Sequence, residues 1–247
     1  MTILGVIPAR WASTRFPGKI LADLNGKPMI QHVWERAVQA SALDYVLIAV
    51  DDPDVRAACK GFGAETVMTS SDHVSGTDRI AEAVKDRSED IIVNIQGDEP
   101  LIAPEVINAL AAALKEDAVC PMATVIKQIS DPAEALDPNI VKAVIDSAGY
   151  ALYFSRQAIP FNREGRPFQE LTVYKHLGLY AYRRTFLQQF FGLPVSLLEQ
   201  TEKLEQLRVL ESGQKIKTVK TDYESIGVDT PEDLQKAAGL LKKENHV

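Results

Sequence analysis

Short apolar runs alternate with segments that carry apolar residues at helical spacing throughout the first half of this chain. This alternation is the sequence feature that most constrains the fold. Apolar runs predict strands over residues 3–7, 45–50 and 91–95, and a further strand-like segment covers residues 65–68. The segments between and after them predict helices over residues 30–38, 54–62, 77–85 and 104–114. Such a pattern is typical of βαβ units and a mostly parallel sheet, in which ligands bind at the carboxyl ends of the strands.

The pattern changes near residue 119, where strand-like pieces follow one another with fewer helices between them. The predicted elements are strands over 119–125, 141–146, 151–155, 177–182 and 216–219, a helix over 197–210 and a final helix from about 229–233. We therefore expect an α/β fold with a mixed, mostly parallel sheet and an antiparallel insertion. We expect one domain with three parts, at approximately 1–118, 119–225 and 226–247.

Composition excludes several classes of protein. The 247 residues carry 27 Lys and Arg against 34 Asp and Glu, so the net charge of −7 argues against general nucleic-acid binding. No apolar run approaches the roughly 18 residues that span a membrane, so no membrane partner is expected. Cys59 and Cys120 lack metal-ligand spacing. Together with an N-terminus that lacks a basic signal region, this predicts a cytoplasmic protein.

A cationic loop follows the first predicted strand. Arg10, Arg15 and Lys19 lie within ten residues of one another, and Pro17 and Gly18 indicate a turn that a phosphate could approach closely. Phosphates bind to fixed cations and to backbone N–H groups in such turns. The segment is therefore a candidate polyanion site, with a solvated basic surface loop as the alternative.

Acidic residues follow the fourth predicted strand and recur near the C-terminus. Asp98 comes directly after Gln96-Gly97 and could ligate Mg²⁺, which takes one or two carboxylates together with phosphate oxygens. The alternative is that Asp98 and Glu99 form a turn before the next helix. Asp229 could ligate the same metal, but it also precedes a helix start and could serve as part of a cap.

Two further segments carry polar groups whose role the residues alone leave open. The loop from Thr69 to Arg79 could contact a base or ribose, or simply end in a helix cap. Strand alternation places His176 and Tyr180 on one face, where with Arg156 they could form a sugar-binding wall. A histidine at such a position can equally be a satisfied core residue.

These motifs together resemble those of the sugar nucleotidyltransferases, and specifically the 3-deoxy-manno-octulosonate (Kdo) cytidylyltransferases. The resemblance covers nearly the whole chain and is carried by these matches: Arg10-x-x-Ser13-x-Arg15-x-Pro17-Gly18-Lys19, Gly26-Lys27-Pro28-Met29-Ile30, Asp72-His73-x-Ser75-Gly76-Thr77-x-Arg79, Asn94-x-Gln96-Gly97-Asp98-Glu99-Pro100, Tyr153-Phe154-Ser155-Arg156, His176-Leu177-Gly178-x-Tyr180, Leu204-Glu205-Gln206-Leu207-Arg208 and Gly227-Val228-Asp229-Thr230-Pro231-Glu232-Asp233. Trp11 departs from the family, in which a smaller aromatic residue is more familiar.

The resemblance implies a nucleotide-diphospho-sugar transferase fold of three layers, which is Rossmann-like. It also implies transfer of CMP from CTP to Kdo with release of pyrophosphate, which activates Kdo for lipopolysaccharide synthesis. Mg²⁺ dependence and a homodimer are further implications. The same chemistry on another 3-deoxy acid sugar, such as 8-amino-Kdo, is an open alternative, as is a non-catalytic nucleotide-binding module on the same fold.

The resemblance also assigns residues by their matching positions. Asp98 and Asp229 would bind the metal, and with Arg10, Arg15 and Lys19 they form the expected catalytic set. The expected nucleotide-binding residues are Pro8, Ala9, Arg10, Arg15, Lys19, Asp72, Ser75, Gly76 and Arg79. The expected sugar-binding residues are Gln96, Arg156, His176, Tyr180 and Glu205.

Overall fold

A computed structural model describes residues 1–13, 15–73, 75–190 and 192–244. The strands are β1 Ile3–Ala9, β2 Asp23–Leu24, β3 Lys27–Pro28, β4 Tyr45–Val50, β5 Glu65–Met68, β6 Ile91–Asn94, β7 Met122–Gln128, β8 Lys142–Ile145, β9 Ala151–Ser155, β10 Tyr174–Arg183 and β11 Ile216–Lys220. The helices are α1 Met29–Val38, α2 Pro53–Gly61, α3 Gly76–Ala83, α4 Pro104–Glu116, α5 Pro132–Leu136, α6 Arg184–Phe190, α7 Leu197–Glu202, α8 Gln206–Glu211 and α9 Pro231–Glu244. Two 3₁₀ turns occupy Lys19–Leu21 and Phe168–Glu170.

The chain divides into two compact units. The first contains residues 1–111 and 225–247, and the second contains residues 112–224. The predicted parts 1–118 and 226–247 thus fall mainly in one unit, and the predicted part 119–225 falls in the other. The expectation that the chain is one functional domain stays a prediction.

A parallel sheet in the order β6-β1-β4-β5 forms the centre of the first unit. Its register pairs Leu4 with Tyr45 between β1 and β4, and Ile3 with Ile91 between β1 and β6. The two central strands, β1 and β6, are buried almost throughout because both of their faces are covered, which is characteristic of parallel sheets. Leu4, Val6 and Ile7 accordingly have no exposed surface.

β1 extends two residues further than the predicted strand, through Pro8, where the sequence indicated a loop. Proline is tolerated there because the pairing of β1 with β6 ends at Val6 and Asn94. Residues 6 and 8 of a strand direct their backbone groups to the same side. The N–H that Pro8 lacks would therefore point past the end of β6, where no ladder bond is lost.

Antiparallel pairs dominate the second unit. β10 pairs antiparallel with β7 and with β8, β8 pairs antiparallel with β9, and β11 pairs parallel with β7. The predicted mixed, mostly parallel sheet with an antiparallel insertion in the second half is confirmed.

The helix predicted over 197–210 is wrong in one respect, because two short helices occupy the segment. Lys203 takes a left-handed conformation with φ of 56° after α7. The carbonyl of Glu202 would accept the N–H of Gln206 in a continuous helix, but it accepts a 2.8 Å hydrogen bond from Nε of Arg156 instead. A side chain 46 positions earlier in the sequence therefore occupies that carbonyl.

Candidate active site

A cavity of about 330 Å³ lies at the carboxyl ends of β1 and β6 in the first unit. Its lining is predominantly polar. It includes most of the residues predicted to bind the nucleotide and both residues predicted to bind the metal. The lining residues are Pro8, Arg10, Arg15, Lys19, Ile20, His73, Ser75, Gly76, Arg79, Gln96, Gly97, Asp98 and Asp229. Its position agrees with the rule that ligands of parallel sheets bind at the strand ends.

Lys19 lies at the centre of the charged groups in this cavity. Its Nζ donates to Asp98 Oδ2 at 2.8 Å, to Asp229 Oδ1 at 2.9 Å and to the carbonyl of Val228 at 3.0 Å. Burial alone would lower the pKa of Lys19, but the charge and hydrogen bonds of the two carboxylates outweigh it and raise the pKa. Lys19 is therefore a fixed cation at neutral pH.

The other two cations of the loop are more accessible. Arg15 lies 2.9 Å from Asp229 Oδ2, and its side chain is 68% exposed. Arg10 is exposed at the mouth of the cavity. Three cations thus converge on the cavity from one short loop, as the sequence predicts. This favours the anion-site interpretation over a simple basic surface loop.

The loop is held in place by Trp11. Its backbone N–H donates to Asp51 Oδ1 at 2.8 Å. Its ring covers Gly18, where a Cβ would lie 3.0 Å from the indole and where φ is +68°. Gly18 is therefore required by the conformation of the turn and by the contact with Trp11. The unusual aromatic residue at position 11 packs within the loop and removes no polar group from it.

Asp98 is positioned by a close approach of two backbone segments. The carbonyl oxygen of Pro8 lies 2.7 Å from where a Cβ of Gly97 would be, so only glycine fits there. The Asp98 carbonyl in turn accepts the N–H of Val228 at 2.9 Å. This bond connects the strand-end segment to the segment that carries Asp229, and it brings the two carboxylates to the same ammonium group.

The capping alternative for Asp229 does not account for its side chain. Thr230 Oγ1 accepts the N–H of Asp233 at 3.2 Å, and Asp233 Oδ2 accepts the N–H of Thr230 at 3.1 Å. These reciprocal bonds cap the start of α9. The carboxylate of Asp229 instead lines the cavity, where its two oxygens pair with Lys19 and Arg15.

The same two carboxylates fit a divalent cation. Among the described residues, no group of three or more His, Cys, Asp or Glu side chains could hold a metal. Mg²⁺ does not need such a group, because it commonly binds one or two carboxylates and takes its remaining ligands from phosphate oxygens and water. Asp98 and Asp229, which converge on Lys19 Nζ beside the candidate anion site, have this composition.

The loop between β5 and α3 serves as a helix cap and also lines the cavity. Ser75 caps α3 by accepting the N–H of Asp78 at 3.1 Å, and Gly76 packs against Pro8. Arg79 is buried, with Nη2 2.8 Å from Asp51 and Nη1 2.6 Å from Thr69 Oγ1. The exposed Asp72 and the buried Ala9 are not among the lining residues. Their assignment to the nucleotide stays a prediction.

Asp51 is a residue that the sequence reasoning missed. One carboxylate oxygen accepts from the loop at Trp11, and the other pairs with Arg79. It thereby joins the cationic loop to the loop before α3. The sequence does contain a signal for Asp51, because this acidic residue directly follows β4 and Asp98 likewise comes after the end of β6.

Residues assigned to the sugar lie mainly in the second unit. The Tyr180 ring lies 5.3 Å from the His176 ring, so these two side chains share one face as predicted, and it lies 5.9 Å from the Tyr182 ring. Tyr180 donates to Gln206 Oε1 at 3.2 Å. Burial, followed by the nearby charge of Glu205, raises the pKa of Tyr180, which stays protonated. Gln96, also assigned to the sugar, lines the cavity of the first unit.

His176 is a neutral group in this structure. Thr124 uses its single hydroxyl proton to donate to the carbonyl of Leu179 at 2.7 Å. It must therefore accept from Nε2 of His176, 2.8 Å away, which fixes the proton on that nitrogen. Burial lowers the pKa of His176 to about 3. The ring consequently acts as a hydrogen-bonding group and not as a cation.

Gln206 is a second residue that the sequence reasoning did not assign. The residue is buried, and its Nε2 has no hydrogen-bond partner within the described part of the chain. Buried donors are nearly always paired in folded proteins. A ligand beside Tyr180 would supply the missing partner.

Comparison with known proteins agrees with this geometry. The family model described as cytidylyltransferase matches residues 4–216. The 3-deoxy-manno-octulosonate cytidylyltransferase of Solibacter usitatus is 53% identical over 97% of this chain and 94% of its own length. That of Geobacter sulfurreducens is 50% identical over 98% of this chain and its entire length.

The chain belongs to the 3-deoxy-manno-octulosonate cytidylyltransferase family.

Solved structures extend the agreement to three dimensions. A CMP:2-keto-3-deoxy-manno-octonic acid synthetase complexed with CTP superimposes with a TM-score of 0.94 at 44% identity, covering 99% of this chain and 100% of that one. The 4-diphosphocytidyl-2C-methyl-D-erythritol synthase of Anaerococcus prevotii has a TM-score of 0.66 at 13% identity over 98% of each chain, so it shares the fold. This cytidylyltransferase is therefore an α/β enzyme of the nucleotidyltransferase class. None of its described helices is both long and apolar enough to cross a membrane.

Proposed function

We propose that this enzyme transfers CMP from CTP to Kdo, giving CMP-Kdo and pyrophosphate. The observation that carries the proposal is the convergence of Lys19 with Asp98 and Asp229 in the strand-end cavity. Fixed cations for a triphosphate and a carboxylate pair for a metal are the groups that nucleotidyl transfer requires. The relatives named above supply the identity of the nucleotide and of the acceptor.

Asp98 and Asp229 would hold Mg²⁺ beside the triphosphate. When bound there, the metal would neutralise charge on the phosphate oxygens and favour the deprotonated form of the attacking hydroxyl. Lys19 contacts both carboxylates, so it would also lie next to the metal-bound phosphates. This assignment depends on the chemistry and convergence of the two carboxylates.

The cationic loop would bind the leaving-group side of CTP. Lys19 supplies a point charge, whereas Arg10 and Arg15 can each contact two phosphate oxygens. Pro8, Ser75, Gly76 and Arg79 would line the nucleoside side, with Arg79 holding Asp51 and therefore the loop. Together these residues would position CTP, and the cations of the loop would neutralise the charge that moves onto pyrophosphate.

In the second unit, Arg156, His176, Tyr180 and Glu205 would contact the acceptor, with Gln206 added from the structure. Arg156 can pair with the sugar's carboxylate, and neutral His176 and Tyr180 can hydrogen-bond its hydroxyls. The anomeric oxygen would form a bond to the α-phosphorus of CTP while the bond to the β-phosphate oxygen breaks. This in-line displacement requires no covalent enzyme intermediate.

Two further features belong to the proposal. We expect a cytoplasmic enzyme, in keeping with Cys59 and Cys120, which are buried free thiols and form no disulfide. We also expect the homodimer that the family resemblance implies. Light scattering coupled to gel filtration tests the dimer directly.

A pyrophosphate-release assay with CTP and Mg²⁺ tests the proposed reaction. Kdo should give the highest kcat/KM, 8-amino-Kdo a lower value, and the reaction without acceptor no release above background. ATP, GTP and UTP should replace CTP poorly. Preference for 8-amino-Kdo would reassign the acceptor while keeping the chemistry, and no release with either sugar would refute the proposed function.

A further inference from the structure

Arg156 is held on three sides by groups that the proposed reaction does not use. Its backbone N–H donates to Glu202 Oε2 at 2.9 Å, and its Nε donates to the Glu202 carbonyl at 2.8 Å. Its Nη1 donates to the carbonyl of Pro138 at 3.1 Å. The second carboxylate oxygen of Glu202 accepts from Ser155 Oγ at 2.7 Å. The Glu202 carboxylate thus fixes the backbone N–H of Arg156, and the main-chain carbonyl of the same residue fixes Nε.

Lys142 holds Arg156 at its carbonyl oxygen, on the other side of the Cα from the N–H that Glu202 accepts. Its side chain has no exposed surface, and Nζ donates to the carbonyls of Asp137 at 2.8 Å, Ile140 at 2.6 Å and Arg156 at 2.6 Å. An ammonium group has three donors, and here all three are used on backbone oxygens. Burial lowers the pKa of Lys142. Keeping a charged ammonium group there therefore costs more folding free energy than a well-packed apolar side chain would.

The consequence is an arginine with a fixed backbone and a partly fixed side chain. A guanidinium has five N–H donors, and two of them contact Glu202 and Pro138. A carboxylate needs two further donors in the plane of the guanidinium for a bidentate contact. A fixed Arg156 would present those donors without losing rotamer entropy when the acceptor binds.

We propose that Glu202 and Lys142 are positioning residues that set the conformation of Arg156 for the acceptor's carboxylate. The proposal rests on the acceptor role of Arg156 proposed above. The Glu202 carboxylate acts on the N–H of Arg156, and Lys142 acts on the Arg156 carbonyl. Glu202→Ala would remove the carboxylate contact and keep the main-chain carbonyl that Nε contacts. Neither residue needs to contact the substrate.

Steady-state kinetics on five single variants test the proposal. Glu202→Ala and Lys142→Met should each raise the KM for Kdo about tenfold or more, the scale on which supporting contacts affect ligand sites, and leave the KM for CTP within about twofold. Glu202→Gln should restore a value near wild type, because its amide oxygen can accept from Arg156 N–H while its amide nitrogen donates to Ser155. Lys175→Met is the matched control, since Lys175 is also a buried lysine of the second unit but pairs with Glu134 and Glu224.

Arg156→Lys and its double variant with Glu202→Ala separate this proposal from the proposed function. Arg156→Lys should raise the Kdo KM, and adding Glu202→Ala should raise it little further, because the glutamate acts through the arginine. An unchanged Kdo KM in Arg156→Lys would refute the acceptor role itself. If Arg156→Lys raises the KM but Glu202→Ala and Lys142→Met do not, or if the double variant is fully additive, only the positioning proposal is overturned.

Discussion

Lys19 donates a hydrogen bond of 2.8 Å to Asp98, although 79 positions separate the two residues in sequence. One belongs to the loop after β1, and the other follows the end of β6. The parallel neighbours β1 and β6 bring these segments to one edge of the sheet. The relationship joins the proposed phosphate site to the proposed metal site, so changes in one should be felt in the other.

Lys19→Met and Arg15→Met should weaken CTP binding to similar extents but differ in stability. Each removes a charge-assisted contact, which corresponds to roughly a tenfold or greater rise in the Kd for CTP. The Lys19 side chain is only 11% exposed, so its loss should lower the free energy of unfolding by about 1–2 kcal/mol, after discounting for the exposure of its partners. The Arg15 side chain is 68% exposed, so its loss should lower the free energy of unfolding by less than about 1 kcal/mol. Calorimetry and urea unfolding measure both quantities, and unchanged CTP affinity in both variants would contradict the phosphate assignment.

Asp98→Asn and Asp229→Asn should fold and lose most activity. The amide keeps the shape of the side chain but removes the charge that would hold the metal. Loss of several kcal/mol of charge stabilisation corresponds to roughly a 100-fold or larger fall in kcat at saturating Mg²⁺. Asp233→Asn, in the helix cap, is the control and should alter stability more than turnover. Near-normal kcat in either test variant would exclude the metal role of that aspartate.

Gly97→Ala and Gly239→Ala should have opposite effects on stability. A Cβ at position 97 would lie 2.7 Å from a backbone oxygen, whereas a Cβ at position 239 meets nothing within 4 Å. Gly97→Ala must shift β1 or the Asp98 segment, at a cost of about 1–3 kcal/mol, and should reduce activity. Gly239→Ala lies inside α9 and should stabilise by about 0.5–1 kcal/mol. Thermal unfolding of both variants checks the signs, and a neutral Gly97→Ala would refute the close approach.

His176 should make the fold sensitive to acid. Its folded pKa of about 3 lies below its ordinary value of 6.5, so the unfolded chain binds the proton more readily between these values. The stability of wild type should fall as pH decreases through this window, by up to about 1.4 kcal/mol per pH unit from this residue. His176→Gln can still donate to Thr124 but does not titrate. Urea unfolding of both proteins at several pH values should show wild type losing stability faster, and parallel curves would contradict the buried neutral histidine.

Local signals in the sequence were sufficient for much of the fold. β4 and β9 have the predicted bounds because each is a mainly apolar run, and β5 has them because turn residues flank its short strand-like segment. Features that depend on distant partners were not predictable in this way. The strand continues through Pro8 because β6 ends beside it, and the helix breaks at Lys203 where Arg156 occupies a carbonyl.

The candidate site shows the same division. The cations of the first loop and Asp98 are visible from their positions next to strands. For Asp229 the local sequence leaves a metal ligand and a helix cap as alternatives, and only the family resemblance favours the metal ligand. The supporting roles of Asp51, Glu202 and Lys142 depend on contacts across the fold, although the position of Asp51 after β4 follows the rule that identified Asp98.

The most direct test of the central claim is detection of the product by ³¹P NMR. Wild type, CTP, Mg²⁺ and Kdo should give a new phosphodiester signal and an equal amount of pyrophosphate. At the same enzyme concentration, Asp98→Asn should form both products more slowly by roughly 100-fold or more. Pyrophosphate or phosphate release without the phosphodiester, or formation of the product at an undiminished rate by Asp98→Asn, would contradict cytidylyl transfer at this site.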